Sequence, residues 1–259
     1  MPSGKNCSTY PMKKIISITL LMLSPLLLVA EEAKVATPKK GTIDTYVVLP
    51  KDGHDTALKA ALAAHARKFH SGNWKWRVYN VLTGPNSGGY MILEGPNSWT
   101  DIEGRGDLGP DHQKDYETTI APHVEKTLPE TYASYVKDCS TTEGAAFTDN
   151  KVLVSRCYLK PGRGPHAHDD AKAWKKVYEK LGISVVTWRT FYSGEECYIF
   201  AGRLKAGFKD LDDPSINFHK AADEVLGTGA MDRLIESDTA NYSRIVDEII
   251  EFKPELSSK

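Results

Sequence analysis

Beyond residue 40 the apolar positions of the chain change period several times, and the changes mark its elements. Residues 42–49 and 152–159 are rich in β-branched and aromatic side chains and end at Pro or Gly, the composition of strands. Each is followed by apolar residues at helical spacing, over 56–69 and 170–181, behind an Asp placed to cap the first turn. Strands are predicted next at 75–82 and 90–94 in the first half, and at 185–192 and 197–203 in the second. A helix over 111–127 and a strand over 132–137 complete the first half. A helix over 215–237 and a strand over 242–250 complete the second. The polar, Gly-containing stretch 139–150 reads as the linker between them.

The two halves are copies of one unit. Trp76-Arg77-Val78-Tyr79 leads through a Gly/Pro/Asn turn to Tyr90-Met91-Ile92 and then to Trp99-Thr100-Asp101-Ile102. Trp188-Arg189-Thr190-Phe191 leads through Ser193-Gly194 to Tyr198-Ile199-Phe200 and then to Phe208-Lys209-Asp210-Leu211. His54-Asp55 and His168-Asp169 open the first helical pattern of each copy, and His112 and His219 stand at matching places in the second. The copies span 41–138 and 151–252, with 31–40 as a flexible lead-in and 253–259 as a tail. Strand-helix-strand twice over with right-handed crossovers gives a ferredoxin-like unit, an antiparallel sheet with helices on one face. One such sheet leaves its other face bare. Two can close on each other, which predicts an α+β fold whose two sheets pack face to face as a barrel within one chain.

In this order of elements and in its repeat, the sequence resembles the dimeric α+β barrel superfamily, which includes antibiotic-biosynthesis-monooxygenase-like proteins. The resemblance implies a cavity between the sheets. It admits cofactor-free oxygenases, haem enzymes and proteins without activity. No motif of a catalytic branch is present, so no catalytic residue is carried over.

The N-terminus bears on location. Lys13 and Lys14 precede an apolar stretch to Ala30, and the acidic Glu31 and Glu32 follow. This is the form of a signal peptide over 1–30, with Met12 as an alternative start. The stretch is shorter than the ~20 apolar residues of a membrane span and is interrupted by Ser17, Thr19, Ser24 and Pro25. Cleavage after Ala30 would remove Lys5, Lys13 and Lys14 and no acid, moving the formal charge from −1 to −4. A mildly acidic chain without a Lys/Arg stripe gains little from phosphates, so nucleic acid is not an expected partner. The expectation is an exported protein, periplasmic or extracellular, with no membrane span in its mature part. Cys139, Cys157 and Cys197 remain after cleavage. Cys157 and Cys197 fall on neighbouring strands, and a bridge between them and two unbonded buried thiols are both open.

Candidate chemistry follows from the repeated Trp-Arg pair. Neighbours on a strand face opposite ways. If Trp76 and Trp188 pack beneath the helices, then Arg77, Tyr79, Arg189 and Phe191 face the space between sheets. There they would bind a small anionic or planar ligand. If the tryptophans face the barrel, the arginines lie along a helix toward solvent. No metal or cofactor is expected on this reading. Two alternatives stand beside it: His166 and His168, a His-x-His on an extended segment, as metal ligands; and His219 as an axial haem ligand. Gly-x-Ser-x-Gly, Gly-x-Gly-x-x-Gly and Walker patterns are absent from the sequence. Small-molecule binding is therefore the first functional reading. A monooxygenase-like oxidoreductase, with or without haem, and a non-catalytic interaction module are the alternatives.

Overall fold

The computed structural model describes residues 41–143, 148 and 151–259; the signal-peptide and lead-in readings lie outside them. The first copy contributes β1 (Thr42–Pro50), α1 (Asp55–Phe69), β2 (Arg77–Val81), β3 (Tyr90–Asn97), α2 (Trp99–Gly104) and α3 (Pro110–Asp115). It ends with β4 (Val124–Thr127) and β5 (Thr131–Tyr135). The second contributes β6 (Lys151–Leu159), α4 (Gly164–Leu181), β7 (Val185–Thr190), β8 (Cys197–Leu204), α5 (Phe218–Leu226), α6 (Ala230–Asn241) and β9 (Tyr242–Phe252).

All strand pairings are antiparallel. β4 and β5 are two pieces of one strand along the same edge of β1, opposite Val48–Pro50 and Thr42–Thr45 respectively. With those pieces counted together, the order is β5-β1-β3-β2 in the first sheet and β9-β6-β8-β7 in the second. Each is the ferredoxin-like order. The β2–β9 and β5–β7 pairings join the sheets edge to edge, closing an eight-stranded α+β barrel. Closure removes the free edges that a single sheet would expose.

Strands covered on both faces are hydrophobic nearly throughout. Tyr90, Ile92 and Glu94 of β3 face the helices, while Met91 and Leu93 face the barrel. The barrel interior is a packed core of Ile43, Tyr79, Met91, Val154, Val186, Trp188, Ile250 and neighbours. Beside this core a cavity of about 50 Å³ remains, and it adjoins a larger cleft of about 490 Å³ that shares Thr45, Arg156 and Ile199 with it and adds Val47 and Glu248. A second core lies between the first sheet and α1, around Leu58, Leu62, Trp76 and Ile92. A third lies between the second sheet and α4, around Ala167, Tyr198 and Tyr242. Residues 253–259, expected as a tail, are anchored: Leu256 is buried, and Ser257 and Ser258 accept hydrogen bonds from the backbone of Val78 and Trp76.

Three elements differ from expectation. The helix expected over 111–127 runs as α3 and a π-helical turn to Ile120, then gives way to β4. Pro122 lacks the N–H a helix needs and ends it. The helix expected over 215–237 is split into α5 and α6 by Gly227 and Gly229, both at positive φ. The helix expected from residue 170 starts earlier, at Gly164, with Pro165 in the first turn, where its missing N–H costs nothing.

The candidate metal centre

The helix-facing side of the first sheet carries a polar cluster inside an otherwise apolar layer. α1 buries a stripe through Leu58, Leu62, His65 and Ala66, so its spacing drives His65 inward among apolar neighbours. The helix ends at His70, whose backbone N–H still bonds to Ala66, and this turns the second imidazole back over the sheet. α3 brings His112 from above. One ring nitrogen from each of His65, His70 and His112 lies within 4.8 Å of the others. His112 Nε2 and His70 Nε2 are 3.3 Å apart. Tetrahedral coordination with metal–nitrogen bonds of ~2.0–2.1 Å places ligand nitrogens about 3.4 Å apart.

The outer nitrogens are held by carboxylates. His65 Nδ1 lies 2.9 Å from Asp115 Oδ2, and Lys68 Nζ donates to the other Asp115 oxygen at 2.8 Å. His65 Nε2, buried, has no hydrogen-bond partner. His70 Nδ1 is 2.9 Å from Glu94 Oε1, too bent for a straight hydrogen bond, and its ring stacks on Trp76 with centroids 4.0 Å apart. Glu94, only 3% exposed, also accepts from Trp76 Nε1 at 2.6 Å and from Arg105 Nη2 at 2.9 Å. Carboxylates behind imidazoles fix ring orientation and raise ligand basicity. Burial, with the neighbouring His65 and His70, holds the His112 imidazole down at about 4. Burial also lowers His65, against the pull of Asp115. Both rings are therefore neutral near pH 7, as ligands must be.

A cleft of about 300 Å³ opens over His70 and His112, walled by Tyr46, Tyr116, Asp44 and Glu130. Asp44 of β1 stands directly opposite Glu94 in the sheet, a like-charge pairing that costs stability unless one partner carries a proton. Burial first, then Glu130 and Glu94, push the Asp44 carboxyl up to about 9.

The residues singled out from sequence fall elsewhere. Trp76 packs beneath α1, while Trp188 lies in the barrel core. The repeat alignment pairs tryptophans that face opposite ways: with Tyr90 and Tyr198 matched, cross-strand pairing puts Trp188 at the place of Tyr79, three residues from Trp76, and an odd displacement along a strand flips the side chain. Arg77, Tyr79, Arg189 and Phe191 consequently do not line one space. Tyr79 is core, and Arg77 donates to the carbonyl of Gly95. Arg189 lies on the helix side, bonding to Tyr198 and Glu196, and Phe191 is exposed beyond β7. His166 and His168 sit on α4 and not on an extended segment, so two residues apart they diverge; His166 is exposed and His168 contacts Asp138. His219 is exposed on α5 and lines none of the clefts described. The three histidines of the centre stand close enough together to hold a single ion. Cys157 is paired with Tyr198 and Cys197 with Tyr158, so the two thiols point to opposite faces and both are free. Of the three ligands only His112 was marked by the repeat. His65 carried a weaker signal, a histidine on the apolar stripe of a helix.

Neither a family profile nor a curated protein matches the sequence. Solved structures share the fold. An anthrone oxidase-like protein aligns with a TM-score of 0.56 and 10% identity, over 83% of this chain and 92% of its own. A protein of Fusobacterium nucleatum subsp. nucleatum, provisionally assigned as a monooxygenase, aligns at 0.51 with 13% identity, over 82% and 94%. Chlorite dismutase from Candidatus Nitrospira defluvii aligns at 0.49 with 7% identity, over 83% and 92%. Likeness at this identity bears on the fold alone: these proteins share the α+β fold described above.

Proposed function

We propose that the chain is a metal-dependent enzyme acting on a small molecule, with its active centre at His65, His70 and His112. The observation that carries this reading is the convergence of three imidazole nitrogens within 4.8 Å, in a pocket where His65 Nε2 is buried and unpartnered. Three protein ligands, two of which line a cleft, are the pattern of a catalytic site, since a structural site is closed by four. A divalent ion there supplies a Lewis acid and a bound water that ionises near pH ~7. The chain's own part is to hold it and shape the approach. Asp115 fixes the His65 imidazole, stacking on Trp76 holds that of His70 beside Glu94, and Arg105 offsets the charge of Glu94. Tyr46 and Tyr116 wall the cleft, and Asp44 holds a proton at its rim. A redox-active ion on the same residues gives the second reading, a monooxygenase-like oxidoreductase.

Zinc titration of metal-free protein tests the centre. A tight equivalent present in the wild type should weaken at least a hundredfold in His65→Ala and in His112→Ala. Wild-type zinc binding in both variants would refute the reading. The open position has its own test: azide should change the visible spectrum of the cobalt-loaded centre, and an unresponsive spectrum would leave a closed, structural ion.

Export belongs to the same proposal. Protein isolated from its native host should begin at or near Glu31, and a stable cytosolic product starting at Met1 or Met12 would overturn it.

A further inference from the structure

A second cluster of metal-binding side chains stands apart from the first, where the end of the first copy meets the helix of the second. Asp138 and Cys139 lie on a single 3-10 turn, Lys137–Cys139, just after β5. The turn is pinned to the second sheet: Thr187 Oγ1 donates to the carbonyl of Cys139 at 2.8 Å, and Thr187 N donates to Ser140 Oγ at 2.9 Å. α4 lays His168 over it.

Cys139 is fully buried and free. Its Sγ has three acceptor atoms around it: His168 Nδ1 at 3.7 Å, the His168 carbonyl oxygen at 3.9 Å and Asp138 Oδ1 at 4.0 Å. A thiol has one weak donor to give, so it can serve at most one of these three. Asp138 Oδ2 lies 3.0 Å from His168 Nε2, and the Tyr198 hydroxyl lies 2.9 Å from His168 Nδ1.

We infer that Cys139, His168 and Asp138 form a second metal site, for a thiophilic cation of the zinc or copper(I) class. One sulfur, nitrogen or oxygen atom from each of the three lies within 4.8 Å of the others. In tetrahedral coordination, metal–sulfur and metal–nitrogen bonds of ~2.3 and ~2.05 Å put sulfur and nitrogen about 3.6 Å apart. The observed separation is 3.7 Å. A thiolate beside an imidazole selects a soft or borderline ion over calcium or magnesium. The fourth position falls to the Tyr198 hydroxyl, 2.9 Å from His168 Nδ1, which closes the site.

Three cations stand nearby and none blocks the site. Lys172 Nζ is 3.9 Å from Asp138 Oδ2 on a largely exposed side chain, and Lys175 reaches Glu179 at 3.7 Å. Arg189 is committed to Glu196 and touches the cluster only through Tyr198. On binding, the S–H bond breaks, a sulfur–metal bond forms, and one proton leaves to solvent with no change of oxidation state. The ion then ties the segment leaving the first copy onto α4. The site's role is therefore structural, independent of the centre at His65, His70 and His112.

Cobalt(II) titration of metal-free, reduced protein decides the matter. The wild type should take up two equivalents, one of them bringing a thiolate-to-cobalt charge-transfer band. His65→Ala should lose an equivalent and keep the band, because the first centre contains no sulfur. Cys139→Ala should lose the band, even though Cys157 and Cys197 remain. His168→Gln, which keeps the thiol and covers the chance that Cys139→Ala fails to fold, should weaken the band-forming equivalent at least tenfold. A wild type without the band, a band that survives in Cys139→Ala, or one unmoved in His168→Gln would overturn the second site.

Discussion

Asp44 shows how one residue can mark a site by what it costs. Its carboxyl is held up at about 9 by burial and by Glu130 and Glu94, while in the unfolded chain it ionises near the usual ~3.9. Between those values the folded state binds a proton that the unfolded state has lost. Stability from this group is therefore greatest in acid and falls as pH rises through that window, up to about 9. Asp44→Asn removes the penalty. In EDTA-treated protein at pH 8 it should gain roughly 2 kcal/mol of stability, and the gain should disappear below about pH 4. Denaturant melts at the two pH values measure this, and a variant no more stable at pH 8 than the wild type would contradict the assignment. A residue kept where it destabilises the fold serves something other than the fold.

At the scale of elements, the centre depends on where α1 stops and how β3 is joined to β1. His65 lies inside the helix and His70 just beyond its end, and both lean on Trp76 or Glu94 from the sheet. β3 turns at Gly95, which has φ +100°, and a Cβ there would stand 2.7 Å from the carbonyl oxygen of Thr42. Only glycine allows β1 and β3 to approach so closely one residue from Glu94. Gly95→Ala should cost roughly 2–4 kcal/mol and weaken zinc binding along with it, read by thermal melting and zinc titration together. A stable Gly95→Ala protein with wild-type zinc affinity would show that the β1–β3 register does not set the centre. The strands, and the helical pattern of α1, were legible because their periodicity is local. The start of α4 was not, since Pro165 reads as a breaker until it is placed in a helix's first turn.

For the whole molecule, barrel closure decides which faces are available to a ligand. Closing two sheets edge to edge packs much of the interior with Tyr79, Met91, Trp188 and their neighbours, and the cleft over His70 and His112 lies outside it, on the helix side of the first sheet. Trp188→Ala should cost about 3–5 kcal/mol and leave the His65 centre's zinc affinity within a few-fold of wild type, because core and centre lie on opposite faces of the barrel wall. Loss of zinc binding in a folded Trp188→Ala protein would contradict that separation. The copies are also unequal. Between α4 and its partner helices the second copy packs Val177, Ala221, Ala222 and Leu234, with Trp174 and Tyr178 against them, where the first copy has His65 and His112. The repeat supplies two frames and only one carries this centre.

The alternation of apolar and polar residues determined the α+β unit, its duplication and the need for two sheets to cover each other, because these follow from local period and from the area each face must bury. The sequence also marked His112, His168 and Cys139 as positions of interest. It did not determine which strand face each side chain would occupy. A three-residue offset between the copies, odd and therefore face-reversing, sends Trp76 under a helix and Trp188 into the barrel, and that offset is set by strand register across the closed sheet. Nor could it bring His65, His70 and His112 together. They are separated by as many as 47 positions along the chain, and only the packing of α1 and α3 over β3 places their nitrogens within bonding distance of one ion.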